Sequence, residues 1–148
     1  MNYSCELKCI HDTLKSVCNA IVSVINVDIT IVDNELNRIT GTGRYVGSIG
    51  EQLNSNCSFA YALQRGESFI IENPRLHEAC SSCINNDGCK EYAQVCCPIK
   101  VDDNIVGIMG LIAFNEKQRD IILENKENLL EFLSRMSELI ASKIKENR

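Results

Sequence analysis

Apolar residues recur at spacings of three and four near both ends of the chain, which is the period of an amphipathic helix. The first stripe predicts a helix over residues 3–25, and the second predicts a long C-terminal helix over residues 116–146, capped by Asn115. Each stripe can pack on the domain's own sheet or on a partner helix. The stripes consist of Leu7, Ile10, Leu14, Val17, Ile21 and Val24, and of Ile122, Leu129, Leu133, Met136, Ile140 and Ile144.

Five segments between these helices have the alternating or continuous apolar pattern of strands. The fifth is almost continuously apolar, which predicts a central strand, and its glycines Gly107 and Gly110 indicate a bulge or a close approach by another group. A short helix is predicted over residues 54–65, and the glycine-rich residues 41–50 are predicted to be a flexible connection. The predicted strands cover residues 27–31, 36–42, 68–72, 95–101 and 105–114.

The order of these elements predicts a single α+β domain over residues 1–148. The elements follow one another as a helix, two strands, a short helix, three strands and a long helix. A five-stranded antiparallel sheet flanked by long N- and C-terminal helices accommodates this order. The chain length is that of one domain with a substantial core.

Composition and charge narrow the functional classes. A net charge of −5 and a pI near 5.1, with scattered basic residues, argue against direct contact with nucleic acid. The sequence contains no apolar run long enough to span a membrane, and its first residues lack the pattern of a signal peptide. We therefore expect a cytoplasmic protein.

Cysteine is the residue type that most changes this picture. The chain has nine cysteines, and five of them lie in the segment 77–98, HEACSSCINNDGCKEYAQVCCP. Because the cytosol keeps thiols reduced, such clustering favours metal ligation or redox chemistry over disulfides. The spacing Cys-x2-Cys-x5-Cys-x6-Cys predicts a site for zinc or an iron–sulfur cluster. Its four candidate ligands are Cys80, Cys83, Cys89 and Cys96.

Other residues are also candidates for the fourth ligand. Neighbouring residues of a strand point to opposite faces, so Cys97 shares a face with apolar residues while Cys96 faces the predicted site. Cys57 is the first reserve ligand because it begins the short helix, whose N-terminus favours thiolate, and Cys97 is the second. His77 allows a Cys3His zinc site, although a histidine three residues before a cysteine is also common at a loop edge, which is the preferred interpretation.

Over nearly its whole length the chain resembles the GAF and PAS group of sensor domains. Residues 73–115, with the cysteine array, the Cys-Pro-Ile strand and the Ile-Ala-Phe-Asn entry to the last helix, resemble the N-terminal sensor region of bacterial enhancer-binding transcription activators. The resemblance implies an AAA+ ATPase acting with an alternative sigma factor, either in the full-length or in a partner protein. It also favours an iron–sulfur cluster, of the 4Fe–4S type, over zinc.

Three functions remain open at this point. The first is a non-enzymatic sensor whose cluster reports redox, gas or metabolite state to a transcription-activator output. Its terminal helices are expected to form a homodimer. The second is a structural zinc site in a small-molecule-binding or interaction domain. The third, ranked last, is a GAF-type thiol reductase, because the chain shows no clear match to the motif of those enzymes and only Cys57 comes close to the setting of a thiolate nucleophile.

Overall fold

A five-stranded antiparallel sheet lies at the centre of the protein, for which a computed structural model describes residues 3–55, 57–80 and 90–148, with side chains from residue 6 onward. The strand order is β2-β1-β5-β4-β3. The near-continuously apolar fifth strand is therefore central, as its sequence predicts. The strands are β1 Asp28–Asp33, β2 Arg38–Gly41, β3 Phe69–Ile71, β4 Ala93–Val101 and β5 Asn104–Ala113.

The two faces of this sheet carry different elements. One face, called here the helix face, packs against the terminal helices through a large apolar cluster that contains Leu14 and Leu133. The other, called here the cysteine face, is covered by α3 through Phe59 and Ala62. The helices are α1 Tyr3–Cys9, α2 His11–Ile25, α3 Ser58–Arg65, α4 Glu116–Glu124 and α5 Lys126–Glu146. The fold is α+β, as predicted.

Both terminal helices are interrupted, which the sequence pattern does not reveal. The helix predicted over residues 3–25 breaks at Ile10, whose side chain is buried and whose backbone leaves the helical region. The helix predicted over residues 116–146 breaks at Asn125, whose side-chain amide donates to the carbonyl of Ile121 at 2.8 Å. The breaks let each apolar stripe follow the twisted sheet, because a straight helix would diverge from it.

The C-terminal stripe packs on the domain's own sheet. Leu129, Leu133, Ile140 and Ile144 are buried within the cluster of the helix face. This is the first of the two alternatives that the sequence leaves open. Within the described residues, no helix has the length and apolar character needed to cross a membrane.

The segment 41–50 is structured, in contrast to the flexible connection that its glycines suggest. Residues Gly43–Ser48 form a 3-10 helix. Tyr45 within it is buried on the cysteine face and packs against Phe114, with ring centroids 5.3 Å apart. The burial of this single aromatic ring fixes a segment whose composition alone predicts mobility.

Both glycines of β5 are sites of close approach, and beside Gly107 the register of β4 against β5 also shifts, as at a bulge. A Cβ atom on Gly107 would lie 2.4 Å from the carbonyl oxygen of Val32 and 2.8 Å from a methyl group of Leu7. A Cβ atom on Gly110 would lie 2.8 Å from the ring of Phe59. Helix α1 and helix α3 therefore reach the sheet where β5 has no side chain.

Burial of Cys18 in the helix face predicts a pH dependence of stability. Burial raises the pKa of this thiol from 9.0 to about 12. Between these values the unfolded chain loses a proton that the folded chain keeps. The contribution of this thiol to the free energy of unfolding is therefore full below pH 9 and decreases above it. At pH 10 the loss from this residue is about 1.4 kcal/mol. We expect urea titrations of the reduced protein at pH 8 and pH 10 to show it.

Two variants test this assignment. In Cys18→Ala the decline between pH 8 and pH 10 should shrink by about that amount, although the protein is less stable at both pH values because a core side chain is shortened. Cys9→Ala, which changes an exposed thiol, should keep the wild-type decline. An unchanged decline in Cys18→Ala would contradict the assignment.

Candidate metal centre

Strand β4 presents two consecutive cysteines to opposite faces of the sheet. Cys97 lies in the apolar cluster of the helix face, and its sulfur is 3.4 Å from Ser137 Oγ of α5. Cys96 lies in the cluster of the cysteine face and is fully buried. The strand period of two thus separates the preferred ligand from its neighbour, as expected from the sequence.

Two further cysteines lie on the same face as Cys96. Cys57 is the N-cap residue of α3 and packs, half-buried, against the cluster that contains Cys96. Cys80 ends the 3-10 helix Glu78–Cys80 and is buried in an adjacent small cluster. Phe69 packs against both clusters and pairs with Cys96 across the β3–β4 ladder. The fold therefore brings Cys57, Cys80 and Cys96 to one region.

A chain of polar side chains surrounds the thiol of Cys96. Its sulfur donates to Gln94 Oε1 at 3.4 Å, and Ser58 Oγ donates to the same oxygen at 2.8 Å. The amide of Gln94 donates to Glu91, whose other carboxylate oxygen accepts from the Tyr45 hydroxyl at 2.5 Å. A buried thiol is thereby joined to a carboxylate, which is unusual inside an apolar cluster.

Electrostatics in this region favour protonated groups. Burial raises the pKa of the Cys96 thiol well above its ordinary value, and the nearby Glu91 carboxylate raises it further, as do the thiols of Cys80 and Cys57. Burial and Glu91 likewise raise the pKa of Tyr45. Negative charge on these groups is therefore costly, because they are buried and lie close to one another. A bound cation would offset that cost.

The structure describes only part of the predicted ligand set. Cys83 and Cys89 lie outside the described residues. Among the residues that are described, no three His, Cys, Asp or Glu side chains are placed closely enough to hold a metal ion together. His77 uses Nδ1 to accept the backbone N–H of Ala79 at 2.9 Å and stacks on Phe69, with ring centroids 5.7 Å apart. Nδ1 of His77 is therefore occupied by a hydrogen bond within its own loop.

Sequence reasoning missed the polar partners of Cys96. Gln94 precedes it by two residues and therefore shares its strand face, so strand periodicity alone could have found this amide. Tyr45 and Glu91 are 46 positions apart, and no local pattern connects them. The single aromatic residue in the glycine-rich segment was the available signal for Tyr45.

One relative of known class is similar in sequence. The chain is 27% identical over 140 residues to a putative uric acid sigma-54-dependent transcriptional regulator of Escherichia coli K12. The match covers 94% of this chain and 24% of that regulator. The chain thus corresponds to about a quarter of the relative's length.

Solved structures share the fold at low sequence identity. The GAF domain of A. aeolicus nlh2 in an inactive state superposes with a TM-score of 0.68 at 18% identity, covering 99% of this chain and 96% of the other. The type II free methionine-R-sulfoxide reductase from Thermoplasma acidophilum gives 0.64 at 12% identity, covering 95% and 96%. The family model for the GAF domain matches residues 10–144. The chain therefore belongs to the GAF domain family.

Proposed function

We propose that this GAF domain is the sensor region of a sigma-54-dependent transcription regulator and binds an iron–sulfur cluster, of the 4Fe–4S type. Similarity to the Escherichia coli regulator along 94% of the chain supports the regulatory role. The observation that carries the ligand assignment is the burial of Cys96 on the same sheet face as Cys80. The ligands in this proposal are Cys80, Cys83, Cys89 and Cys96.

The chemistry of the described thiols fits such a group. Cysteine binds metal as thiolate, and thiolates buried without a cation are costly. The raised pKa of Cys96 expresses that cost, because burial removes solvation from its thiolate and Glu91 and neighbouring cysteines add negative charge to the same region. When bound, the cluster would supply positive charge and a redox centre there.

Cys57 and Cys97 differ in how well their positions suit them as alternative ligands. Cys57 lies on the cysteine face, so it can replace a member of the array. Cys97 lies on the helix face beside Ser137, and the sheet separates it from Cys80. A zinc site with the same ligands is the alternative occupant, since zinc also binds four thiolates.

The route from this site to an output is short. Cys96 and Cys97 are consecutive in β4, and Cys97 contacts Ser137 of α5. A change in the charge or bonding of Cys96 would therefore reach the C-terminal helix through one strand. Such a local chemical event biasing a packed element is a general form of signalling switch.

The proposal includes partners and a location. The regulator would act in the cytoplasm together with an AAA+ ATPase module, without direct nucleic-acid or membrane contact by this domain. Homodimerisation through the terminal helices is supported by an apolar groove between α2 and α5. Val17, Phe132 and Met136 line this groove beside Val24, which is 80% exposed. Large apolar side chains at such a surface are typical of interaction sites.

The test is chemical analysis of protein purified without oxygen. We expect a brown protein with a broad absorption band near roughly 400 nm and matched amounts of iron and acid-labile sulfide. A colourless protein with one equivalent of zinc would replace the cluster with the structural zinc alternative. Protein that holds neither metal after reconstitution would refute both metal assignments.

A reductase role is tested separately. The Thermoplasma acidophilum enzyme shares the fold. Among the described thiols, Cys57 is the one at a helix N-cap, that of α3, where the helix N-terminus favours a thiolate nucleophile. The proposed sensor should show no turnover of free methionine sulfoxide with a dithiol reductant. Turnover that is abolished in Cys57→Ser would overturn the sensor assignment.

A further inference from the structure

A surface groove of about 890 Å³ lies at one end of the sheet, beside the start of α4. Four basic side chains line it: Arg44, Arg75, Lys90 and Arg119. The same groove contains the aromatic rings of Phe114 and Tyr92. Its volume is in the range of small-molecule sites in proteins. We name it the cationic groove.

The charge of this groove is opposite to that of the chain. The protein carries a net charge of −5, yet among the described residues that line the groove four are basic and two, Glu91 and Glu116, are acidic. Glu91 is also hydrogen-bonded to Tyr45 and Gln94, so its oxygens are directed towards the cysteine face. A local excess of positive charge attracts anions.

Two of the guanidinium groups are held in place before any ligand binds. Arg119 Nε donates to the carbonyl oxygen of Glu72 at 3.0 Å. The guanidinium of Arg44 lies over the ring of Phe114, 5.2 Å from its centroid. Positioned guanidinium groups lose little conformational freedom when they bind an oxyanion, which favours affinity.

The aromatic side chains add a second kind of recognition. Phe114 is fixed against Tyr45, and Tyr92 remains 41% exposed. Exposed ring surface next to guanidinium groups suits a flat ligand that carries its charge at the edge. A compact inorganic anion would use the charges and leave the rings unused.

We propose that the cationic groove binds a small planar organic anion that carries carboxylate or comparable oxyanion groups. The four basic side chains neutralise its charge, and Phe114 and Tyr92 contact its ring. The site lies outside the buried thiols of the cysteine face and gives the sensor a second input. Its occupancy does not depend on the cluster proposed above.

Isothermal titration calorimetry in low-salt buffer tests this proposal with three probes. Isophthalate is a planar dianion, isophthalamide is its neutral analogue, and inorganic phosphate is a compact anion. We expect isophthalate to bind with a dissociation constant below about 1 mM, a modest affinity for a ligand of that size, and at least tenfold more tightly than the other two. Equal binding of isophthalamide or of phosphate would overturn the assigned ligand class.

Variants locate the binding. Arg44→Gln and Arg119→Gln should each weaken isophthalate binding about tenfold, since each removes one charge-assisted contact. Arg135→Gln is the matched control, because Arg135 pairs with Glu131 and Glu138 on α5, away from the groove. Unchanged affinity in both groove variants, with folding checked by NMR, would refute the proposal.

The same titration on Cys96→Ser distinguishes this inference from the proposed cluster. We expect wild-type affinity for isophthalate in that variant, whatever its iron content. Affinity lost together with iron would show that the groove is not the independent site proposed here.

Discussion

Replacing Cys96 by serine is expected to lower the iron and acid-labile sulfide of anaerobically purified protein to below about a tenth of wild type. Serine has nearly the same shape and can keep the hydrogen bond to Gln94 that the thiol makes at 3.4 Å. It cannot supply the soft thiolate that iron in such clusters prefers. The fold should therefore survive while the ligand set is broken.

Cys97→Ala is the matched control for this result. Its side chain is adjacent in sequence but lies on the helix face, so the variant should keep wild-type iron and sulfide. Circular dichroism and thermal unfolding of both variants separate ligand loss from unfolding. Full cofactor content in Cys96→Ser, or loss in Cys97→Ala alone, would assign the fourth ligand elsewhere.

Gly107→Ala is expected to lower the free energy of unfolding by about 3 kcal/mol. The added methyl group would lie 2.4 Å from the backbone oxygen of Val32, which belongs to the neighbouring strand and cannot rotate away. The melting temperature should fall by roughly 6–12 °C for a domain of this length. Denaturant titration and calorimetry measure both quantities.

Gly47→Ala provides the comparison for that prediction. A Cβ atom at Gly47 meets no atom within 4 Å, so its stability should change by less than about 0.5 kcal/mol. A Gly107→Ala protein as stable as Gly47→Ala would mean that β1 and β5 separate at little cost. The close approach would then not be a determinant of stability.

Hydrophobic periodicity was sufficient to predict the sheet and its central strand. The apolar run of β5 distinguishes it from strands with one exposed face, and the structure places it between β1 and β4. The strand limits differ from the expected ones by at most two residues. These limits depend on hydrogen bonds to neighbouring strands, which a local pattern does not contain.

The helix interruptions have a tertiary origin and could not be predicted. Ile10 and Leu7 both follow the stripe of one continuous helix, but Leu7 packs where Gly107 leaves space on β5. At Asn125 the chain turns so that both Ile122 and Leu129 remain buried. Each break depends on the shape of the sheet. The sequence shows only that apolar residues lie before and after each break.

The candidate site was predictable in its orientation and less so in its environment. Alternation along β4 distinguishes Cys96 from Cys97, because the rule involves adjacent residues only. The carboxylate of Glu91 and the hydroxyl of Tyr45 meet through folding of distant segments. Cys83 and Cys89 lie outside the described residues, so their assignment as ligands stays a prediction.

The opposite orientation of Cys96 and Cys97 restricts how the length of β4 can vary. Inserting or deleting one residue within the strand would turn every following side chain to the other face. The thiol of position 96 would then enter the apolar helix layer, and the contact with Ser137 would be lost. Natural length variation in relatives that keep this arrangement should therefore fall in the connections on either side of the strand and leave β4 itself unchanged in length.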